Sequence, residues 1–224
     1  LAVSAGNAME PAYGSVNSSI DLGSGDDALY INADGRAVSL GWGWNQSRSL
    51  AYGAINTTID AGSGNDLISI NVASSASSNG WGWGWGQSDS RAFGLANSNV
   101  NTGSGDDVIK INVSSNTGLF GNAGIGNGIA EAVGLENSSL NTGSGNDLID
   151  ISAYSFGTAT NSWAIRNSEI KTGKGNDVVS LNAADLAVSA GNAMEPAYGS
   201  VNSSIDLGSG DDALYINADG RAVS

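Results

Sequence analysis

The first 39 residues of this chain, LAVSAGNAMEPAYGSVNSSIDLGSGDDALYINADGRAVS, recur letter for letter at positions 186–224, displaced by 185 residues. Identity over such a length restricts the fold, because both copies adopt one local structure and the chain between them must return to an equivalent environment. The natural reading is a window on a tandem array, with residues 1–185 as one unit and 186–224 as the start of the next in the same continuous body. A single domain with a duplicated end, or an engineered duplication, is the alternative. On the array reading, Leu1 in place of Met marks a processed or excised piece, and neither end resembles the polar cap that closes a solenoid.

Inside the unit runs a shorter repeat anchored on Gly-x-Gly-(Asp/Asn)-Asp. It begins at Gly23, Gly62, Gly103, Gly143 and Gly173, and again at Gly208 as the copy of the first. The intervals of 39, 41, 40, 30 and 35 residues close the 185-residue period, so one unit holds five coils with insertions between anchors. Variable spacing around a fixed core is the pattern of a solenoid with loops on one side.

Apolar residues alternate on both sides of each anchor, which is the period of a half-buried strand. The inward set before the turn is Ile20, Ile59, Val100, Leu140 and Ile170. After it come Leu29 with Ile31, Ile68 with Ile70, Ile109 with Ile111, Ile149 with Ile151, and Val179 with Leu181. The local pattern also admits an antiparallel meander. Equivalent residues recurring in one chain direction favour stacking like on like, so the expected fold is all-β, a parallel β-solenoid of about 37 residues per coil.

Asparagine occupies one position in every coil, at Asn17, Asn56, Asn97, Asn137, Asn167 and Asn202. Stacked amides can bond to one another in a ladder. Asn17, Asn56 and Asn137 also read as Asn-x-Ser/Thr glycosylation acceptors, but Asn97 and Asn167 keep the asparagine without the acceptor pattern. A second column, Asn32, Asn71, Asn112, Asn182 and Asn217 with Ser152 as its exception, is expected to point outward.

Composition removes most chemistry. The chain has no Cys and no His, so thiol nucleophiles, Ser-His-Asp triads and the usual zinc or copper ligands are absent. Twenty-two acidic against eight basic residues give a net charge of −14, which disfavours nucleic acid and anionic lipid and favours hard cations. No apolar run approaches the roughly 20 residues of a membrane span.

Over nine positions the anchors read LGSGDDALY, AGSGNDLIS, TGSGDDVIK, TGSGNDLID, TGKGNDVVS and LGSGDDALY. This resembles the nonapeptide of the RTX, or haemolysin-type calcium-binding, family, Gly-Gly-x-Gly-x-Asp-x-hydrophobic-x. The resemblance implies a secreted protein whose turns hold Ca²⁺ through backbone carbonyls and the sixth-position aspartate. Those aspartates are Asp27, Asp66, Asp107, Asp147, Asp177 and Asp212, on turns opened by Gly23, Gly62, Gly103, Gly143, Gly173 and Gly208. Two features depart from the family: the first glycine is Leu, Ala or Thr throughout, and each coil has one nonapeptide in place of contiguous copies. Independently of the resemblance, unit charges repeating about 5 Å apart repel by about 3 kcal/mol at an effective dielectric of 20, which favours a cation between them. Ca²⁺, with six to eight flexible oxygen ligands, suits such a column better than Mg²⁺. The alternative is an Asx-turn, in which Asp or Asn bonds nearby backbone N–H groups. Lys174 makes the fifth turn the weakest cation candidate.

Two coils carry Gly-Trp runs holding Trp42, Trp44, Trp81, Trp83 and Trp85. Extended, each run sets indoles on one face and glycines on the other. Such a comb suits contact between neighbouring filaments, stacking on sugar rings, or mutual packing across adjacent coils. The leading expectation is a non-enzymatic structural segment of an extracellular filament or surface layer, stiffened by Ca²⁺ and partnered by itself. A calcium-dependent adhesin using the tryptophans on extracellular polysaccharide is the alternative. A β-helix polysaccharide lyase or hydrolase is the third class; against it, nearly every Asp is explained by the repeat, and Arg36, Arg48, Arg91 and Arg166 form no visible constellation.

Overall fold

A computed structural model describes residues 2–4, 7–42, 45–81, 86–119, 127–188 and 196–223, and all the regular structure among them is β. The chain winds as a parallel β-solenoid of about five coils, each opened by the asparagine column, with coil 1 starting at Asn17 and coil 6 at Asn202. Each of coils 1 to 5 contributes one strand to each of three parallel sheets, and coil 6 contributes one to each of the first two. A corner sheet of three-residue strands (Ser19–Asp21, Thr58–Asp60, Asn99–Asn101, Ser139–Asn141, Glu169–Lys171, Ser204–Asp206) precedes the glycine turn. A long sheet (Ala2–Ser4, Ala28–Trp42, Leu67–Trp81, Val108–Leu119, Leu148–Gly157, Val178–Val188, Ala213–Val223) follows it. A return sheet (Ala8–Val16, Asn45–Ile55, Gly86–Ala96, Asn127–Glu136, Ala159–Arg166, Ala197–Val201) closes the coil.

Stacking is in register, so each aliphatic column of the sequence is a column in space. Ile31, Ile70, Ile111, Ile151, Leu181 and Ile216 pair in succession along the long sheet. Ile59, Val100, Leu140 and Ile170 do the same in the corner sheet, where they are buried with the long-sheet aliphatics in one continuous core. Ile20 and Leu29, in the first coil, pack on the same core and are partly buried. Fully burying an aliphatic side chain of this size stabilises by about 1.5–3 kcal/mol.

The asparagine column explains itself through the backbone. All six residues have φ between 47° and 50°, the left-handed conformation that Asn tolerates better than other non-glycine residues. This conformation turns the return strand into the corner strand. One ladder rung is present, Asn56 Nδ2 donating to Asn17 Oδ1 at 3.0 Å, but the corner is set by φ. The residue after each Asn is Ser or Thr, and its hydroxyl works both ways. Ser98 Oγ donates to Ala96 O (2.8 Å) and accepts the Thr57 N–H (3.1 Å), as Ser138 does for Glu136 O and the Ser98 N–H. The outward column is also a ladder where it is exposed: Asn71 Nδ2 donates to Asn32 Oδ1 (3.2 Å) and Asn112 Nδ2 to Asn71 Oδ1 (3.1 Å).

The regions between anchors differ from the loops the spacing suggests. Long-sheet strands of 10 to 15 residues continue well past the aliphatic core, and the return strands run back alongside them. Between the two sheets lies a second interior of small residues. Ser74 Oγ donates to Ser49 Oγ (2.9 Å), Ser90 Oγ to Ser74 Oγ (3.0 Å) and Ser115 Oγ to Ser90 O (2.8 Å), all buried beside Ala37, Ala76, Ala92 and Ala130. Serine and alanine allow two sheets to approach closely, and hydroxyl-to-hydroxyl bonds satisfy the buried oxygens. At Gly94, where the return sheet presses on the long sheet, a Cβ would overlap Ile111 Cγ2 and the Gly134 carbonyl oxygen; opposite Gly134 the same place is filled by the buried Ala164.

Candidate functional site

The glycine turns stack into one column along the solenoid edge. Ser24, Ser63, Ser104, Ser144, Lys174 and Ser209 form parallel bridges in succession, with Gly64 N–H donating to Ser104 O (2.8 Å) and Ser104 N–H to Gly62 O (3.3 Å). Both glycines of each turn have positive φ, 81° to 96° at the first and 121° to 145° at the second. A Cβ at the second glycine would also overlap the carbonyl of its counterpart one coil earlier, for Gly105 that of Gly64. The Gly-x-Gly spacing thus has two causes, backbone conformation and coil-to-coil approach.

The two residues after the glycines stitch the coils together in opposite directions. On the outer side, a side-chain oxygen accepts the N–H of the next coil: Asn65 N–H donates to Asp26 Oδ1 (2.8 Å), Asp106 N–H to Asn65 Oδ1 (2.8 Å) and Asn146 N–H to Asp106 Oδ1 (2.7 Å). On the inner side, the aspartate accepts from the coil before it. Asp27, Asp66, Asp107, Asp147 and Asp177 each donate their N–H, at 2.9 Å, to Oδ1 of Asp66, Asp107, Asp147, Asp177 and Asp212 respectively. The outer position needs only an acceptor oxygen, and it is Asn or Asp. The inner position is Asp in all six turns.

The second oxygen of these inner aspartates is the chemical anomaly of the fold. Oδ2 of Asp27, Asp66, Asp107, Asp147 and Asp177 is buried without a hydrogen-bond partner, and Asp107 and Asp177 have no exposed surface at all. Burial pushes the Asp107 and Asp147 carboxyls above the usual carboxylate range. The Thr102 and Thr142 hydroxyls and the bonded N–H groups beside them counter the rise, and neighbouring aspartates add to it. The Thr102 hydroxyl itself donates toward Thr142 O at 3.4 Å. A hard cation matches the donors in kind, since all are carboxylate or carbonyl oxygens. Among the described residues no group of three or more acidic side chains converges on one point. A cation here would therefore be shared between aspartates of successive coils and completed by turn carbonyls.

Of the tryptophans, Trp42 and Trp81 end paired long-sheet strands in direct register, as do Gly41 and Gly80 before them; Trp44, Trp83 and Trp85 lie outside the described residues.

Stacking also assembles groups that the linear sequence keeps apart. On the outer face of the return sheet, Arg48 pairs with Asp89 (3.3 Å), Asp89 with Arg91 (3.0 Å), Arg91 with Glu131 (3.6 Å), and Glu131 with Arg166 (3.1 Å), which also pairs with Glu136. The Arg166 guanidinium lies 4.3 Å from the centre of the Trp163 ring. Beside this chain of charges runs an aromatic file: Tyr13 on Tyr52 (5.7 Å), Tyr52 on Phe93 (4.9 Å) and, after Val133, Trp163 on Tyr198 (5.8 Å). Aligning coils by anchor would have exposed both features, since the partners in each occupy matching or neighbouring places in successive coils.

Turn column, register and core together define the chain as a parallel β-solenoid built on a tandem repeat. No family model matches this chain, and neither a curated protein nor a solved structure matches it. Among the described residues no helix is long and apolar enough to cross a membrane.

Proposed function

We propose that this chain is a structural segment of a long extracellular filament or surface layer built from tandem 185-residue units, and that it performs no catalysis. The supporting observation is that register closes over the unit. Ala187 and Val188 pair with Ala222 and Val223 as Ala2 and Val3 pair with Ala37 and Val38, so both copies make the same internal pairing, and the second copy extends the stack from Val178 to Asp185 of coil 5 in register. An array with this property continues without a phase break, and five coils at about 4.8 Å give a rise of roughly 24 Å per unit. Electron microscopy and fibre diffraction of concentrated protein test the reading. Rods with a meridional spacing near 4.8 Å are expected; a compact particle of fixed length at every concentration would refute it.

Calcium at the turn column is a second reading, favoured by the five buried, unpartnered Oδ2 atoms and by the absence of Asn from the inner position. Asp27, Asp66, Asp107, Asp147, Asp177 and Asp212 would hold the ions with carbonyls of the turns opened by Gly23, Gly62, Gly103, Gly143, Gly173 and Gly208. The ions would neutralise the column and raise thermal stability. Calorimetric titration with Ca²⁺ and with Mg²⁺ tests it: selective uptake of Ca²⁺ is expected, and equal indifference to both ions removes calcium while leaving the filament reading intact. The adhesin reading rests on the Gly-Trp indoles, whereas the filament is carried by the in-register stacking of coil on coil and is preferred.

A further inference from the structure

The outward face of the long sheet carries an open groove of about 700 Å³ that runs along the solenoid axis across coils 1 to 5. That volume lies within the roughly 300–1,000 Å³ of ligand sites. One wall is the outward asparagine column from Asn32 to Asn182, and the other is the column two residues further on, from Asp34 to Ala184. Residues i and i+2 of a strand share a face, and the column between these walls, Ala33, Val72, Val113 and Ala153, turns its side chains into the core. The amide wall is broken in coil 4. There Ser152 stands between Asn112 and Asn182, and serine lacks the amide that would carry the ladder on from the Asn112 bond to Asn71. Asn182 Nδ2 donates instead to Ser180 Oγ on its own strand, at 3.0 Å. Across from this gap is Tyr154, 42% exposed, with only Ser114 and Ala184 beside it in its column.

We propose that this groove binds a linear, uncharged, β-linked polysaccharide, with one sugar ring seated in the notch between Ser152 and Tyr154. The site is separate from the Gly-Trp runs and depends on neither the filament nor the calcium reading. Uncharged amides and hydroxyls, such as those of Asn112, Ser152 and Asn182, offer both donors and acceptors and so suit the hydroxyls of a sugar. The exposed Tyr154 ring between two small neighbours gives the C–H face of a pyranose an apolar surface to cover. Among the described residues the one ionised side chain lining the groove is Asp34, and Arg36 already pairs with it at 2.9 Å. A polyanion therefore finds no free cation there and meets a chain of net charge −14, while a polycation finds no free anion. The lining recurs at every coil, about 4.8 Å apart, which is close to the advance of one sugar in an extended β-linked chain. A peptide strand is disfavoured by direction. The groove crosses the strands, whose N–H and C=O groups bond coil to coil, so no sheet edge lies along it for a peptide to join.

Isothermal titration of the full chain with cellohexaose, xylohexaose and N-acetylchitohexaose, and with hexagalacturonate as the anionic comparison, is the test. At least one neutral hexasaccharide is expected to bind, and hexagalacturonate to bind none or far less. Tyr154→Ala should weaken that binding about tenfold by removing the stacking ring. Ser152→Asn fills the notch with the residue that the column carries in the other coils, so it should keep the fold and abolish binding. Thermal melts establish that each variant is folded, and Ser152→Asn keeps the test decisive should Tyr154→Ala not fold. Failure of every neutral hexasaccharide to bind overturns the proposal, and so does equal binding of hexagalacturonate. Binding that is unchanged in both variants places the sugar elsewhere and overturns it too. If the variants alter sedimentation of the chain alone and leave sugar binding untouched, the groove is a contact between copies and the proposal fails.

Discussion

Asp107→Asn separates the roles of the two carboxylate oxygens in the inner column. The substitution keeps Oδ1 as acceptor of the Asp66 N–H at 2.9 Å and removes only the charge. Asp66 and Asp147 stand one coil away on either side, at about 4.8 Å. Like-charge repulsion at that distance is about 1 kcal/mol per neighbour in bulk water and about 3.5 kcal/mol at an effective dielectric of 20. Placing an N–H₂ at the buried Oδ2 position, which has no hydrogen-bond partner, offsets part of the relief. The expected net effect, with divalent ions chelated, is a gain of about 1–3 kcal/mol. Asp107→Ala removes the acceptor as well, leaves the Asp66 N–H unsatisfied and costs about 1–3 kcal/mol. Urea unfolding of both variants at pH 7 in chelator measures the difference. Loss of equal stability in the two would refute the assignment of Oδ1 as the structural acceptor. On adding Ca²⁺, the calcium reading expects the parent chain to gain stability and Asp107→Asn to gain less.

Acidification gives a related signature. Because burial raises the Asp107 and Asp147 carboxyls, the folded state holds more protons than the unfolded one between the free value near 3.9 and the raised one, and stability falls as pH rises through that window. Thermal melts in chelator should show the advantage of the Asp107→Asn/Asp147→Asn double variant shrinking from pH 7 to about pH 4; an advantage independent of pH would contradict the assignment. Gly105→Ala, with φ of 128° and its Cβ overlapping the Gly64 carbonyl, is expected to cost at least about 1–3 kcal/mol in denaturant unfolding. At the left-handed corner, Asn97→Gly should stay within about 1 kcal/mol of the parent, whereas Asn97→Val should lose more than that, as measured by melting temperature.

The repeat spacing alone revealed the columns. Once Gly23, Gly62, Gly103, Gly143 and Gly173 are aligned, the aliphatic alternation designates the inward residues of the corner and long sheets, because a period of two has only one buried face. The return sheet was not legible in that way. Its interior is Ser47, Ser49, Ala51, Ser88, Ser90 and Ala92, whose alternation carries no hydrophobic contrast and resembles a loop. Only the approach of two sheets, each held in place by the coils above and below, buries these small side chains and lets their hydroxyls bond to one another. The asparagine column was visible, but its left-handed φ was not, since position in a repeat says nothing about handedness of the backbone. The Gly-x-Gly-(Asp/Asn)-Asp turn was likewise visible as a motif, while the opposite directions of its two stitches depend on which coil each side chain faces. The charge chain from Arg48 to Glu136 needed stacking as well: its partners, up to 41 residues apart along the chain, take matching or neighbouring places once coils are aligned, but only the tertiary structure sets them within ion-pair distance.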